Sequence, residues 1–152
     1  MEVLMDGTVL SADVGYLLTR ASGALVRATN AALAGFGLRV RSYSALTLAC
    51  EARDGISQRD LAETLGLDPS QVVLLVDELT DAGLVERRPS EADRRTKLVV
   101  PTPAGVAARG RAARAVAGAH DDRLAALSAE ERDLLRGLLG RVVDGVLPVV
   151  RA

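Results

Sequence analysis

A cluster of cations between residues 84 and 100 is the first feature of this sequence that could do chemistry. The segment LVERRPSEADRRTKLVV contains Arg87, Arg88, Arg94, Arg95 and Lys97, although the chain of 152 residues has a formal net charge of only −1. Cations gathered in one patch bind phosphate whatever the total charge of the protein. The near-neutral total therefore does not argue against a nucleic-acid partner.

Catalytic and metal-binding side chains are scarce. The chain has one cysteine, Cys50, and one histidine, His120, and no nucleophile, base and orienter or phosphate-binding glycine loop can be assembled from it. Cys50 lies among apolar residues without a second cysteine, which favours an inert buried thiol over redox sensing. His120 with Asp121 and Asp122 offers too few ligands at usable spacing for a metal. We expect neither enzymatic activity nor a cofactor.

The composition is that of one globular domain rather than a disordered or membrane chain. Hydrophobic residues make up 49% and charged residues 26%, and the length suits a single core. Aromatic residues make up only 2%, so Leu, Val and Ala must form the core, which favours helix. No apolar run reaches the ~20 residues of a membrane span, and no signal peptide is recognisable. We expect a cytoplasmic protein without a membrane partner.

A helix-turn-helix pattern occupies residues 57–83. Ser57 can cap a short helix that Gly66 ends. Asp68 can cap the next helix, with Pro69 at its first position and Gln71 at N3. Two helices joined by about three residues that include glycine form this motif. The residues predicted to face the core are Val72, Val73, Leu75, Val76 and Leu79, and those predicted to face outward are Ser70, Gln71, Leu74 and Asp77.

Two apolar segments flank the cation cluster, and residues 84–88 and 96–100 are predicted to be strands. Their connection exceeds the usual hairpin loop of about two to five residues, and long loops are often functional. A helix-turn-helix followed by such a hairpin is the winged arrangement. Its second helix enters the major groove, and its hairpin tip reaches the backbone or the minor groove. Arginine suits the negative potential of a narrow minor groove.

Further helices are predicted at 13–34, ended by Gly35, at 42–52, and from 102 to 127 with Gly105, Gly110 and Gly118 as weak points. Ser128 and Glu131 form a capping box for a last helix that runs to Pro148. The fold class is therefore mainly α with a small β-hairpin. The last helix carries an apolar stripe formed by Leu134, Leu135, Leu138, Leu139, Val142, Val143 and Val146. We expect this stripe to pack against a second copy, because an uncovered stripe invites aggregation; one compact core is the alternative.

The stretch DPSQVVLLVDELTDAGLVERRPSEADRRTKLVVPTPAG resembles the core signature of the MarR (multiple antibiotic resistance regulator) family, including Asp93-Arg94-Arg95 and the closing TPAG. The resemblance extends from VGYLLTRASGALVRATNAALAGFGL to the last helix. It implies a homodimer of single chains (1–152), each with a winged helix-turn-helix region at 38–101 and helical dimerisation regions at 11–37 and 102–150. It also implies a repressor of an inverted-repeat operator with half-sites ~10 bp apart, released by a small molecule or by oxidation.

The resemblance places Arg95 in the minor groove with Arg94 beside it and Asp93 orienting it. The sequence departs from the family in its acidic recognition helix, where Leu74 stands at a commonly polar or basic position and could touch a thymine methyl. The candidate DNA-contacting residues are Ser70, Gln71, Leu74, Arg87, Arg88, Asp93, Arg94, Arg95 and Lys97. Gln71 could instead serve only as a cap, Leu74 could be an ordinary exposed leucine, and Arg87 and Arg88 could be solvated strand residues.

In this family an effector pocket usually lies between the dimerisation helices and the winged domain. The candidate effector-binding residues are Tyr16, Arg20, Arg41, Tyr43 and Arg53, since arginine can hold a carboxylate or phenolate in an apolar cleft. They could equally be interdomain salt-bridge partners. The expected partners are thus double-stranded DNA, a second copy and a small molecule that the sequence does not identify. A second function, a dimeric winged-helix module that docks a protein through its acidic helix and Leu74, is the alternative.

Overall fold

Two long helices, α1 (Val14–Leu33) and α5 (Pro103–Arg123), pack along each other in a computed structural model that describes residues 9–144. A short 3-10 turn, Val9–Ala12, precedes α1. Between the two helices the Thr29 hydroxyl lies 2.9 Å from Nε2 of His120. A second 3-10 turn, Ala34–Phe36, follows α1 and ends at Gly37 with φ 67°. The predicted bounds of 13–34 agree with α1 to within one residue at each end, but the left-handed backbone is supplied by Gly37, after the 3-10 turn, and not by Gly35.

The helix-turn-helix consists of α3 (Gln58–Leu65) and α4 (Pro69–Asp81), and α2 (Val40–Glu51) packs against both. The Ser57 hydroxyl accepts the Asp60 amide at 3.0 Å, which fixes the start of α3. Gly66 ends α3 with φ 63°, and Gly83 follows α4 with φ 72°. The predicted boundaries and caps of this motif are confirmed.

One face of α4 forms part of the core. Val72, Val76 and Leu79 are buried, at the i, i+4 and i+7 spacing of a single helix face. Val73 was also predicted to be buried, but it is 39% exposed. The buried stripe is narrower than predicted because Val73 lies at its edge, on the groove between α3 and α4.

The sheet has three antiparallel strands, β1 (Ile56–Ser57), β2 (Val85–Pro89) and β3 (Lys97–Pro101), in the order β1-β3-β2. The predicted hairpin is β2 and β3, which pair with Arg87 opposite Val99. The third strand was not predicted, because two residues are too few to show the alternation of a strand. Through β1 the start of α3 is joined to the hairpin.

The junction between the hairpin and α5 is closely packed. The Thr102 amide donates to the Leu84 carbonyl at 3.0 Å, and the Thr102 hydroxyl donates to the Gly83 carbonyl at 2.6 Å. A Cβ at Gly105 would lie 1.9 Å from the Leu84 carbonyl oxygen, so only glycine fits there. Gly105 was predicted to be a weak point, but α5 continues through it to Arg123 because the helix abuts the hairpin at this position.

The last helix, α6 (Ala129–Asp144), begins at the predicted capping box. Ser128 donates its amide to Glu131 at 2.8 Å, and the Glu131 amide donates to the Ser128 hydroxyl at 3.2 Å. The stripe residues Leu134, Leu138, Leu139, Val142 and Val143 are exposed in the single chain. The predicted continuation to Pro148, with Val146, lies outside the described residues. Within residues 9–144, no helix combines the length and apolarity needed to cross a membrane.

The core lies between helices α1 to α5 and the sheet. Its largest fully buried side chains are Leu33, Leu46, Leu61, Leu79, Val72, Val76, Val85 and Val99. Small residues complete it where helices approach closely, with Ala45, Ala49 and Ala112 almost inaccessible to solvent. A core of this composition agrees with the near absence of aromatic residues.

Candidate nucleic-acid interface

The start of α4 is exposed and polar, as a helix that enters a groove must be. Ser70, Gln71 and Leu74 are all exposed, and Leu74 reaches 63%. The Asp68 amide donates to Oε1 of Gln71 at 3.1 Å, which completes the predicted capping box. Gln71 therefore serves as a cap in the free protein, while its Nε2 group makes no hydrogen bond within residues 9–144 and can still donate to a base.

The loop between β2 and β3, residues 90–96, is ordered by one carboxylate. Oδ1 of Asp93 accepts the Arg95 amide at 3.0 Å, and Oδ2 lies 3.4 Å from the Thr96 hydroxyl. The Ser90 amide donates to the Thr96 carbonyl at 2.8 Å, and the Thr96 amide donates to the Asp93 carbonyl at 2.9 Å. Asp93 thus acts on Arg95 through the backbone of the loop and does not pair with its guanidinium.

The five predicted cations fall into two groups. Arg94, Arg95 and Lys97 are exposed and make no ion pair with any residue between 9 and 144. Arg88 pairs with Glu86 on the same strand. Arg87 donates from Nη2 to Asp77 at 2.7 Å and from Nε to Gln58 at 2.9 Å. The unpaired positive charge of these five residues is therefore concentrated at the tip of the hairpin. We call this tip, formed by the loop 90–96 and Lys97, the wing.

Arg87 joins elements that the sequence treats separately. Gln58 begins α3 and Asp77 lies on α4, so the guanidinium bridges β2 to both helices of the helix-turn-helix. Gln58 was not predicted as part of the site. It had no sequence signal, because its position 29 residues before Arg87 becomes a contact only when β1 and β2 join the same sheet.

A cavity of about 970 Å³ lies between the end of α1, the start of α2 and the second half of α4. Apolar residues line much of it, including Val26, Leu38 and Leu75. Arg39 and Arg41 line its edge, and neither makes an ion pair within the described part of the chain. Asn30, Ser42 and Glu78 also line the cavity, so its lining is partly polar. A guanidinium beside such a cavity suits an anionic group on a ligand that also has an apolar part.

Of the five predicted effector residues, Arg41 lines this cavity. Tyr43 packs against the core, while Tyr16 is half-buried on α1. Arg20 on α1 and Arg53 after α2 are exposed. The structure therefore does not gather the five around one space. Arg39 was not predicted, although its place two residues before Arg41 was a usable signal.

Cys50 is half-buried on α2. Burial raises the pKa of the Cys50 thiol, and the nearby Arg109 guanidinium only partly opposes that effect. A raised pKa keeps the thiol protonated and therefore less reactive. In residues 9–144, no three His, Cys, Asp or Glu side chains come together as metal ligands do.

Residues 36–96 match the sequence model of the MarR family. The chain is 32% identical to the HTH-type transcriptional repressor Rv2887 of Mycobacterium tuberculosis over 141 residues, which are 90% of this chain and 97% of that protein. It is also similar to the crystal structure of the Mycobacterium tuberculosis MarR family protein Rv2887 in complex with DNA, with a TM-score of 0.72 and 28% identity, covering 86% of this chain and 97% of that one.

Similarity to two further transcriptional regulators agrees with this assignment. The crystal structure of CouR from Rhodococcus jostii RHA1 bound to p-coumaroyl-CoA has a TM-score of 0.82 and 44% identity, covering 90% of this chain and 95% of that one. A putative transcriptional regulatory protein for the hcr operon of Thauera aromatica is 41% identical over 88 residues, which are 58% of this chain and about half, 53%, of that protein. Because the Rv2887 match spans nearly all of both proteins, this chain belongs to the MarR family of winged helix-turn-helix, DNA-binding transcriptional regulators.

Proposed function

We propose that this protein represses transcription as a homodimer on an inverted-repeat operator, and that a small anionic ligand releases it. The observation that supports the DNA contact is the wing, in which Asp93 orders the loop and Arg94 and Arg95 have no ion-pair partner among residues 9–144. The relative Rv2887 supports this function, because it is named a repressor and its crystal structure was solved in complex with DNA.

The proposed contacts divide between reading and positioning. Arg95 enters the minor groove, where the negative potential is strongest, and Arg94 and Lys97 neutralise neighbouring phosphates. Ser70 and Gln71 at the start of α4 meet base edges in the major groove, and the helix N-terminus favours phosphate. Leu74, exposed one turn further along, offers an apolar contact to a thymine methyl.

Fluorescence anisotropy tests this function. The purified protein is titrated into a labelled duplex from upstream of its own gene, and into a scrambled duplex, over a series of salt concentrations. We expect tight binding to the upstream duplex, with log K falling against log salt by about 0.9 for each neutralised phosphate. If a selection from a random duplex library also yields no specific binder, DNA reading by this wing is wrong.

The dimerisation regions are proposed to be residues 11–37 and 102–150 and the winged region residues 38–101, together one chain of 1–152. Exposed large apolar side chains support this division, because most of them lie on α1 and α6, whereas the winged region exposes Val73 and Leu74 on α4. On α1 they are Val14, Leu17, Leu18 and Val26. Burial of these faces between two copies would remove them from water.

The cavity beside Arg39 and Arg41 is the proposed effector site. Leu75 and Glu78 of α4 also line it, so an anion bound there would contact the recognition helix and repel the Glu78 carboxylate. Because CouR was solved with p-coumaroyl-CoA, we propose an acid or acyl thioester with an apolar tail as the ligand class.

Competition measurements test the effector site. p-Coumaroyl-CoA, coenzyme A and p-coumarate are each titrated into the complex of protein and duplex. Release by a compound with both an apolar tail and an anionic group is expected, and Arg41→Ala should weaken that release at least about tenfold through loss of a charge-assisted contact. Arg53→Ala is the matched control, since Arg53 is exposed outside the cavity. Equal effects of the two variants would contradict this site.

The alternative of a protein-docking module rested on the acidic recognition helix. Asp77, one of the carboxylates on α4, forms an ion pair with Arg87. The negative charge on this face of the helix is therefore partly neutralised within the chain. Membership of a DNA-binding family favours the first function. The salt series separates the two, because a docking surface around Leu74 would show no slope of the phosphate type.

A further inference from the structure

Arg87 is placed unlike the other cations of the hairpin. Side chains alternate between the two faces of a strand, and Arg87 shares its face with Val85, which is fully buried. Its side chain is only 25% exposed. Its strand neighbour Arg88 projects to the other face, where it meets Glu86. Arg87 therefore lies against the helices rather than at the rim of the wing.

The guanidinium of Arg87 is already occupied on two sides. Nη2 donates to Oδ1 of Asp77 at 2.7 Å, and Nε donates to Oε1 of Gln58 at 2.9 Å. A phosphate contact by Arg87 would have to break or share the short bond to Asp77. Charge-assisted hydrogen bonds of this length are among the stronger polar contacts in proteins, so the arrangement favours retention of the pair.

Asp77 explains why such a pair matters. On a helix, residues three and four apart share a face, and Asp77 follows Leu74 and Ser70 along the exposed face of α4. Its side chain is 50% exposed. An unpaired carboxylate on the face that meets DNA would repel the phosphates. Arg87 removes that repulsion within the protein and at the same time fixes α4 and α3 to β2.

We propose that Arg87 is a positioning residue for DNA binding, which neutralises Asp77 and holds the recognition helix in register with the wing without contacting DNA itself. The inference rests on the proposed DNA contact by α4 and the wing. It differs from the sequence prediction, in which Arg87 was one of the cations that touch DNA.

Four variants test the proposal by anisotropy over a salt series, with thermal unfolding as a check on folding. Arg87→Ala should weaken specific binding about tenfold because Asp77 is left uncompensated, while the salt slope stays as in the wild type. The double variant Arg87→Ala/Asp77→Asn has the same net charge as the wild type and should recover most of the affinity. Gln58→Ala keeps the ion pair and should cause a smaller loss. Arg136→Ala is the matched control, because it also removes an arginine from an ion pair, the one with Asp133 on α6, and it should leave specific binding unchanged.

The outcomes are distinct. A slope lowered by about 0.9 in Arg87→Ala, with no recovery in the double variant, would make Arg87 a direct phosphate contact and overturn the proposal. Unchanged affinity in Arg87→Ala would overturn it as well. If Arg87→Ala unfolds, the double variant and Gln58→Ala still decide between the two roles. If the wild-type protein binds no duplex, both the proposed function and this inference are wrong. If the wild type binds but Arg87→Ala gives either of the two overturning results above, only the inference is wrong.

Discussion

Arg95 and Glu91 lie in the same short loop and carry opposite charges. We expect Arg95→Ala to weaken operator binding by about 1–3 kcal/mol, because a cation in the minor groove is lost. Glu91→Ala truncates a neighbouring exposed side chain and should leave affinity unchanged or raise it. Both are measured by anisotropy at one fixed salt concentration. Equal weakening in the two variants would point to distortion of the loop and would contradict the role of Arg95.

Gly105 and Gly110 lie in the same helix but in different surroundings. A Cβ at Gly105 would collide with the Leu84 carbonyl, whereas a Cβ at Gly110 meets nothing within 4 Å. Gly105→Ala should therefore lower the free energy of unfolding by about 1–3 kcal/mol or more, and Gly110→Ala should raise it by up to about 1 kcal/mol. Urea unfolding measures both. A stabilised Gly105→Ala variant would show that the backbone at this junction can shift to accommodate a Cβ, and would contradict the prediction.

The Arg132 side chain reinforces the corner between α5 and α6. Arg132 donates to the Leu124 carbonyl at 2.9 Å through Nη2 and at 3.2 Å through Nε, and to Asp121 at 2.9 Å through Nη1. The same carbonyl, just past the end of α5, also accepts the Leu127 amide at 2.9 Å, so Arg132 adds side-chain donors to a backbone turn.

We expect Arg132→Ala to loosen this corner and to lower the free energy of unfolding by about 1 kcal/mol. Arg136→Ala is the control, because Arg136 pairs with Asp133 on the exposed surface of α6, where such pairs contribute little. Urea unfolding of both variants provides the comparison. If Arg136→Ala lowers the free energy of unfolding as much as Arg132→Ala does, the contacts of Arg132 at this corner have no special role in stability.

Most elements were predictable because their signals are local. The caps at Ser57, Asp68 and Ser128 each lie three residues from their partners, so the sequence contains both halves of each contact. Strand β1 and the bridge from Arg87 to Gln58 were not predictable, since they depend on which distant segments share a sheet. The same reason applies to Gly105. Its low helix propensity predicted a weak point, but the glycine is needed there because α5 approaches the hairpin closely.

For the whole molecule, the exposed stripe on α6 predicts dependence on a second copy. Leu138 is 47% exposed in the single chain, and Leu138→Glu should shift the protein toward monomer and weaken operator binding with it. Arg136→Glu is the control, because two residues correspond to about 200° around a helix. Light scattering after size-exclusion chromatography measures the mass. A Leu138→Glu variant that remains dimeric would exclude this face from the interface.

The locked junction at Thr102 and Gly105 also has a mechanical consequence. Because hydrogen bonds and close packing fix the start of α5 to the hairpin, we expect the 21-residue helix to move with the hairpin as one lever. At ~1.5 Å per residue this lever is about 30 Å long, so a tilt of about 5° at its far end displaces the hairpin by roughly 3 Å. That displacement is about the length of a hydrogen bond, so a tilt of a few degrees would be enough to break the proposed base contacts while every helix stays folded.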